Sequence, residues 1–187
     1  VGAFGADKDK KFEVRPVEAY ANRQIVENLA VAAETFITDE QTRTAFGKLN
    51  PNRYGILPIL VVMQNQGKET LSLEDMRVEY HLPTRQRLEA IPARDVPRIH
   101  GADRPKLTPN PLPIPTSPRT STRKNPLAVW EIEGRAFAAR VLPPGESASG
   151  FFYFQTPHRA GSVLYITGIR EASSHRELFF IEIPLDK

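Results

Sequence analysis

The stretch ILPILVVMQNQGKETLSLEDMRVEYHL, residues 56–82, sets two kinds of strand side by side. Residues 56–63 are apolar almost throughout, interrupted by nothing more polar than Pro58. That is the pattern of a central strand covered on both faces. Asn65-Gln66-Gly67-Lys68 then reads as a turn leading into Leu71 and Leu73. After it Met76, Val78, Tyr80 and Leu82 alternate with Arg77, Glu79 and His81, the period of a strand with one wet face.

Outward from this pair the same grammar continues. Upstream, Phe12 and Val14 alternate with charged neighbours, and Leu29, Val31 and Ala33 keep that period up to Phe36. Downstream, residues 129–132, 137–141, 151–154, 163–169 and 178–183 are short runs rich in Val, Ile, Phe and Tyr. They are separated by turn residues such as Pro143-Pro144-Gly145-Glu146. Roughly seven to nine short strands at such spacing predict an all-β, two-sheet antiparallel β-sandwich. One helix interrupts them. Thr38-Asp39-Glu40-Gln41 has the spacing of a capping box, Gly47 is placed to end the helix, and Ala45 and Phe46 would pack it against the sheets.

The chain has 187 residues, no cysteine and a net charge of +3. That length supports a single core, and the lack of cysteine excludes disulfides, thiolate metal sites and a cysteine nucleophile. No apolar run approaches the ~18 residues of a membrane-spanning helix. A chain beginning at Val1 reads as a processed or trimmed product, which suits removal of an export signal. The charge is concentrated: Arg104, Lys106, Arg119, Arg123 and Lys124 face Asp103 alone within residues 101–126, which therefore hold more than the whole net charge of +3. A basic pI confined to one segment argues against a nucleic-acid-binding face.

That segment is the strongest feature outside the strands. Pro109, Pro111, Pro113, Pro115 and Pro118 favour an extended polyproline II path. Leu107, Leu112 and Ile114 could anchor it to a partner while Arg119, Arg123 and Lys124 meet acidic groups. The expected organisation is an N-terminal extended arm, residues 1–11, and one β-sandwich domain, 12–187. Residues 101–126 form a proline-rich basic insertion between strands.

Candidate chemistry is thin. Gly-Glu-Ser-Ala-Ser-Gly, residues 145–150, is only loosely a nucleophile elbow, because with Ser147 as nucleophile the closing position holds Ser149. A turn entering a strand explains it better. His81, His100, His158 and His175 show no local metal-ligand spacing and read as solvated polar positions. Glu131 and Glu133 would share one strand face, where like charges can raise a carboxyl pKa, yet a solvated face opposite Trp130 and Ile132 is the simpler reading. Phosphate-binding glycine loops and calcium loops are absent. Phe151, Phe152, Tyr153 and Phe154 could stack on sugars, though alternation sends half of them inward. No cofactor or metal is expected.

Two stretches carry a family resemblance. Residues 45–73, AFGKLNPNRYGILPILVVMQNQGKETLSL, resemble uncharacterised exported bacterial proteins in their short helix ending in Phe-Gly, Leu-Pro-led strand and Asn-containing turn. Residues 141–154, VLPPGESASGFFYF, are similar to the Pro-Gly turn and Gly-aromatic strand of immunoglobulin-like modules. The resemblance implies an immunoglobulin-like sandwich and transfers no catalytic residue. Antibody-type domains pair cysteines around a core tryptophan; this chain has Trp130 without them. The expected function is a non-catalytic structural or protein-interaction module. It would be an exported, periplasmic accessory subunit, docking on a larger, membrane-associated assembly through its arm and proline-rich loop. A carbohydrate- or small-ligand-binding module is the alternative.

Overall fold

The computed structural model describes residues 11–99 and 124–186. Along the chain the strands are β1 (Arg23–Val26), β2 (Leu29–Thr35), β3 (Leu57–Asn65), β4 (Leu71–Ser72), β5 (Arg77–His81), β6 (Arg87–Glu89), β7 (Val141–Leu142), β8 (Ser147–Phe154), β9 (Val163–Thr167), β10 (Arg170–Glu171) and β11 (Ile181–Pro184). Among the described residues three α-helices accompany them, where the sequence suggested one: α1 (Asp39–Phe46), α2 (Val96–Ile99) and α3 (Trp130–Gly134). The molecule is mostly β, with three antiparallel sheets ordered β1–β2–β3–β8, β11–β9–β5–β6 and β10–β4–β7.

The apolar run in β3 explains the layering. Leu57, Ile59, Val61 and Met63 project from one face and meet Val78, Tyr80, Leu164, Ile166, Ile181 and Ile183 of the second sheet in a shared core. Leu60 and Val62 project from the other face. There they join Ala30, Ala32, Phe151 and Tyr153 in a second core, closed by Phe36, Phe46, Val96, Leu127 and Ile132. β3 is therefore dry on both sides, as its unbroken hydrophobicity predicts. Each Leu or Ile so buried contributes about 1.5–3 kcal/mol. β5 has one core behind it, so it keeps the alternation read in residues 76–82: Val78 and Tyr80 are buried while Arg77 is exposed.

Local signals for α1 and the turns hold. Thr38 Oγ1 accepts from Gln41 N at 3.2 Å and Gln41 Oε1 accepts from Thr38 N at 3.1 Å, the reciprocal bonds of a capping box. Gly47 is the C-cap, and Ala45 and Phe46 are buried. The turn after β3 is fastened from within: buried Asn65 donates to Glu69 O at 2.7 Å and Leu142 O at 3.0 Å, and its Oδ1 accepts from Gly67 N at 2.9 Å.

Three strand expectations fail. Phe12 and Val14 form no strand; Phe12 packs on Phe36 and Phe151 and Val14 is exposed. Residues 129–132 enter α3 instead, because Ile132 is fully buried in the second core and its carbonyl accepts from Tyr153 Oη at 2.7 Å. Residues 137–141 extend only into the two-residue β7. Their start crosses β8 instead, where Phe137 N donates to Phe151 O at 3.1 Å and Phe151 N to Arg135 O at 2.9 Å. The crossing is so close that a Cβ on Gly150 would lie 2.3 Å from Phe137 Cα, which only glycine permits.

Candidate interaction surfaces

Most residues expected to bind a partner, Leu107, Leu112, Ile114, Arg119 and Arg123, lie outside the described residues, as do His100 and residues 1–10 of the arm at 1–11. Lys124 is described and exposed. The residues on either side of the segment 100–123 are tied to each other and to the body. Asn125 Nδ2 donates to Pro97 O at 2.7 Å, while Asn125 Oδ1 accepts from Leu127 N at 3.0 Å. Val96 and Leu127 are both fully buried in the second core. Both flanks are thus anchored, side by side, to one packed layer.

Trp130 stands beside this root. It is 67% exposed, although Ile132 two residues on is fully buried. Its ring lies along its own helix, so close that a Cβ on Gly134 would sit 2.7 Å from the ring. The Arg135 guanidinium lies 5.6 Å from the Trp130 ring and 4.6 Å from that of Phe12. Trp130 is therefore no core tryptophan. Glu131 and Glu133, expected on one strand face, sit two apart on a helix, where i and i+2 do not face each other.

A second exposed aromatic surface covers the outer face of the β11–β9–β5–β6 sheet. Rings of His81 and Tyr165 stack at 4.7 Å, and Tyr165 and Phe180 stack at 5.2 Å. Phe180 is 55% exposed and its neighbour Phe179 is 73% exposed. The segment before β11 is clamped in place. Glu27, at the tip of the β1–β2 hairpin, accepts from Phe179 N at 2.9 Å and pairs with Arg176, which also pairs with Glu171. The Phe179 amide and Arg176 hold the Glu27 carboxyl below the ordinary glutamate range; Arg176 and the Ser174 hydroxyl do the same for Glu171.

The histidines divide by environment. His158 is not a solvated turn residue. Its Nε2 lies 2.8 Å from Asp186 Oδ1 and its Nδ1 3.2 Å from Tyr80 Oη, which also accepts from Arg159 N. The Gly161 amide, with His158, lowers the Asp186 pKa. His81 lies on the outer face as expected, bonded to Glu79 at 2.6 Å, and His175 is exposed. Among the described residues no group of three His, Asp or Glu could hold a metal ion. Ser147 is exposed at the first position of β8, opposite Gln64 of β3, where a turn enters a strand.

Phe151, Tyr153 and Phe154 are buried, and half-buried Phe152 stacks on Phe137 at 5.2 Å, so this run makes no sugar-stacking platform. Burial pushes the Tyr153 phenol well above its ordinary pKa. Sequence reasoning missed the exposed pair at 179–180. Its signal was present: adjacent aromatics in an extended segment point to opposite faces, so one core cannot take both.

No protein-family model matches the chain. No curated protein matches it. A crystal structure of a functionally unknown protein from Listeria monocytogenes is similar over 88% of this chain and 82% of that chain, at 9% identity and a TM-score of 0.37. Similarity that slight says nothing about function. No helix among the described residues is long and apolar enough to cross a membrane.

Proposed function

We propose that this chain is a non-catalytic protein-interaction module with an immunoglobulin-like arrangement, docking on a larger assembly through the segment 100–123 and the surface at its root. The observation that carries this is Trp130, 67% exposed beside the anchored flanks of that segment. An indole left in water forfeits burial energy that a partner can recover, and tryptophans of this kind dominate binding interfaces. The basic residues Arg119, Arg123 and Lys124 give the adjoining segment its preference for an acidic partner surface.

Strand order supports the immunoglobulin-like reading. Naming β2, β3 and β8 as A, B and E, and β11, β9, β5 and β6 as G, F, C and C′, matches those parts of the immunoglobulin order; among the described residues no strand stands at D, β1 is added at one edge, and β10–β4–β7 form a third sheet. Tyr80 in the C position is fully buried between the sheets, where antibody domains place tryptophan. Residues 100–123 fall between strands of this one sandwich and form an insertion in a single domain. Export to the periplasm completes the proposal, in keeping with the resemblance of residues 45–73.

The test is native co-purification from the source cells, followed by mass spectrometry, for the wild-type chain, a deletion of 104–124 and Trp130→Ala. Loss of the same partner in both variants, with unchanged thermal melting, supports the proposal. Retention of every partner by both removes it.

A further inference from the structure

The outer face of the β11–β9–β5–β6 sheet lies on the far side of the molecule from the helical layer, so its chemistry is independent of the reading above. Register fixes what stands there. Glu89 is opposite Glu79, Glu79 opposite Tyr165, and Tyr165 opposite Glu182, so one row across four strands reads Glu-Glu-Tyr-Glu. Neighbouring strands lie about 4.8 Å apart, which places a carboxylate on each side of the Tyr165 ring. Arg87 belongs to the row of His81, and Arg77 to the row of Thr167. The face therefore mixes charges, but the carboxylates flank the aromatics and the arginines sit at its β5–β6 side.

The rings stand as a diagonal stack, His81 on Tyr165 at an interplanar angle of 20° and Tyr165 on Phe180 at 28°. At the His81 end the stack is closed by the bond to Glu79. At the Phe180 end it stops, with that ring 55% exposed. Glu182, two residues on along β11 and therefore on the same face, is exposed, and its carboxylate has no hydrogen bond or ion pair among the described residues. The clamp of Glu27 on the Phe179 amide and on Arg176 fixes the backbone that carries Phe180. An open aromatic plate beside an unpaired carboxylate on a fixed backbone is complementary to a flat cation that can stack and form hydrogen bonds together. Guanidinium meets both requirements; an ammonium lacks the plane.

We propose that this face docks an arginine-bearing segment of a partner protein, with the guanidinium stacked on the free face of Phe180 and paired with Glu182. Glu79, already bonded to His81, contributes long-range attraction.

The experiment is amide NMR of the full chain, titrated with a blocked Gly-Arg repeat peptide. The same peptide with citrulline in place of arginine serves as the uncharged, isosteric control. Shifts for the arginine peptide should cluster at residues 163–167 and 180–184. Phe180→Ala and Glu182→Gln should each weaken binding about fivefold to tenfold, as loss of a stacked or paired cation does. Lysine in place of arginine should weaken it by a similar factor, and citrulline should abolish it. Equal binding of the citrulline peptide, an unchanged affinity in Glu182→Gln, or shifts at acidic residues of α1 overturn the proposal. So do shifts at 163–167 and 180–184 that grow with protein concentration alone, since a second copy would then be the occupant.

Discussion

The two cores on either side of β3 are built differently. The inter-sheet core is strand against strand, and every second residue of β3, β5, β9 and β11 enters it. The second core has a sheet on one side only. Its other wall is Phe12, Phe36, Phe46, Val96, Leu127 and Ile132, drawn from segments far apart in sequence and mostly outside strands. The first joins the two four-stranded sheets face to face. The second holds Val96 and Leu127, which flank residues 100–123, and carries α3 with Trp130, so the proposed docking surface lies on the less regular side.

If the second core is a full structural partner of the first, breaking it must cost as much. Phe151 touches Phe12, Phe36 and Phe46 at centroid distances of 5.5, 4.8 and 4.9 Å. Phe151→Ala should cost about 3–5 kcal/mol, as should Phe154→Ala in the inter-sheet core. Urea unfolding followed by circular dichroism should show one transition for each. A separate early transition confined to Phe151→Ala would mean that the helical layer melts on its own.

Gly150→Ala attacks the crossing that joins the two regions. Its new methyl meets backbone at 2.3 Å, so residues 135–137 must move, at a cost of about 1–3 kcal/mol. Hydrogen exchange in that variant should rise at the Phe137 and Phe151 amides more than in β9.

A paired tyrosine comparison comes next. Tyr153→Phe leaves the Ile132 carbonyl buried without a donor and should cost about 1–3 kcal/mol. Tyr80→Phe removes bonds to His158 and the Arg159 amide near a surface loop, where water can substitute, and should cost about 0.5–1.5 kcal/mol. Parallel denaturant titrations give both values, and the reverse ranking would contradict the assignment of the more enclosed bond.

The smallest effect is electrostatic. Glu27 and Glu171 have folded-state pKa values below their unfolded ones, by virtue of the Phe179 amide and Arg176. Their contribution is complete above the unfolded value, about pH 4.3, and fades as pH falls through the lower folded values. Arg176→Ala should flatten the acid limb of the stability–pH curve below about pH 4.3. It should also speed exchange at the Phe179 amide and lower stability at neutral pH by the same small amount that the acid limb loses, because the Arg176 side of both pairs is half exposed.

The same contrast explains what the sequence made legible. β3 and β5 could be read because burial on two faces or one leaves a pattern within a single strand. α1 could be read because its capping box is complete within four residues. β1 could not: Arg23, Gln24 and Ile25 are exposed, and its hairpin turn uses Glu27 and Asn28 at positive φ, where glycine would have signalled it. Residues 130–133 alternate Trp-Glu-Ile-Glu like a strand, yet packing of Ile132 under Tyr153 makes them helical. Period-2 runs of four residues cannot report a tertiary contact of that kind. Trp130 shares this limit, since an outward tryptophan looks in sequence like any core aromatic, whereas the adjacent Phe179 and Phe180 carried a signal of their own.

Trp130 is the chain's one tryptophan, so its fluorescence reports the proposed docking surface without interference. In the free protein the emission should be that of a water-exposed indole, readily quenched by acrylamide. Adding the co-purified partner should shift the emission to the blue and cut the quenching sharply. Emission and quenching that stay unchanged in the formed complex would place the partner elsewhere and contradict docking at the root of residues 100–123.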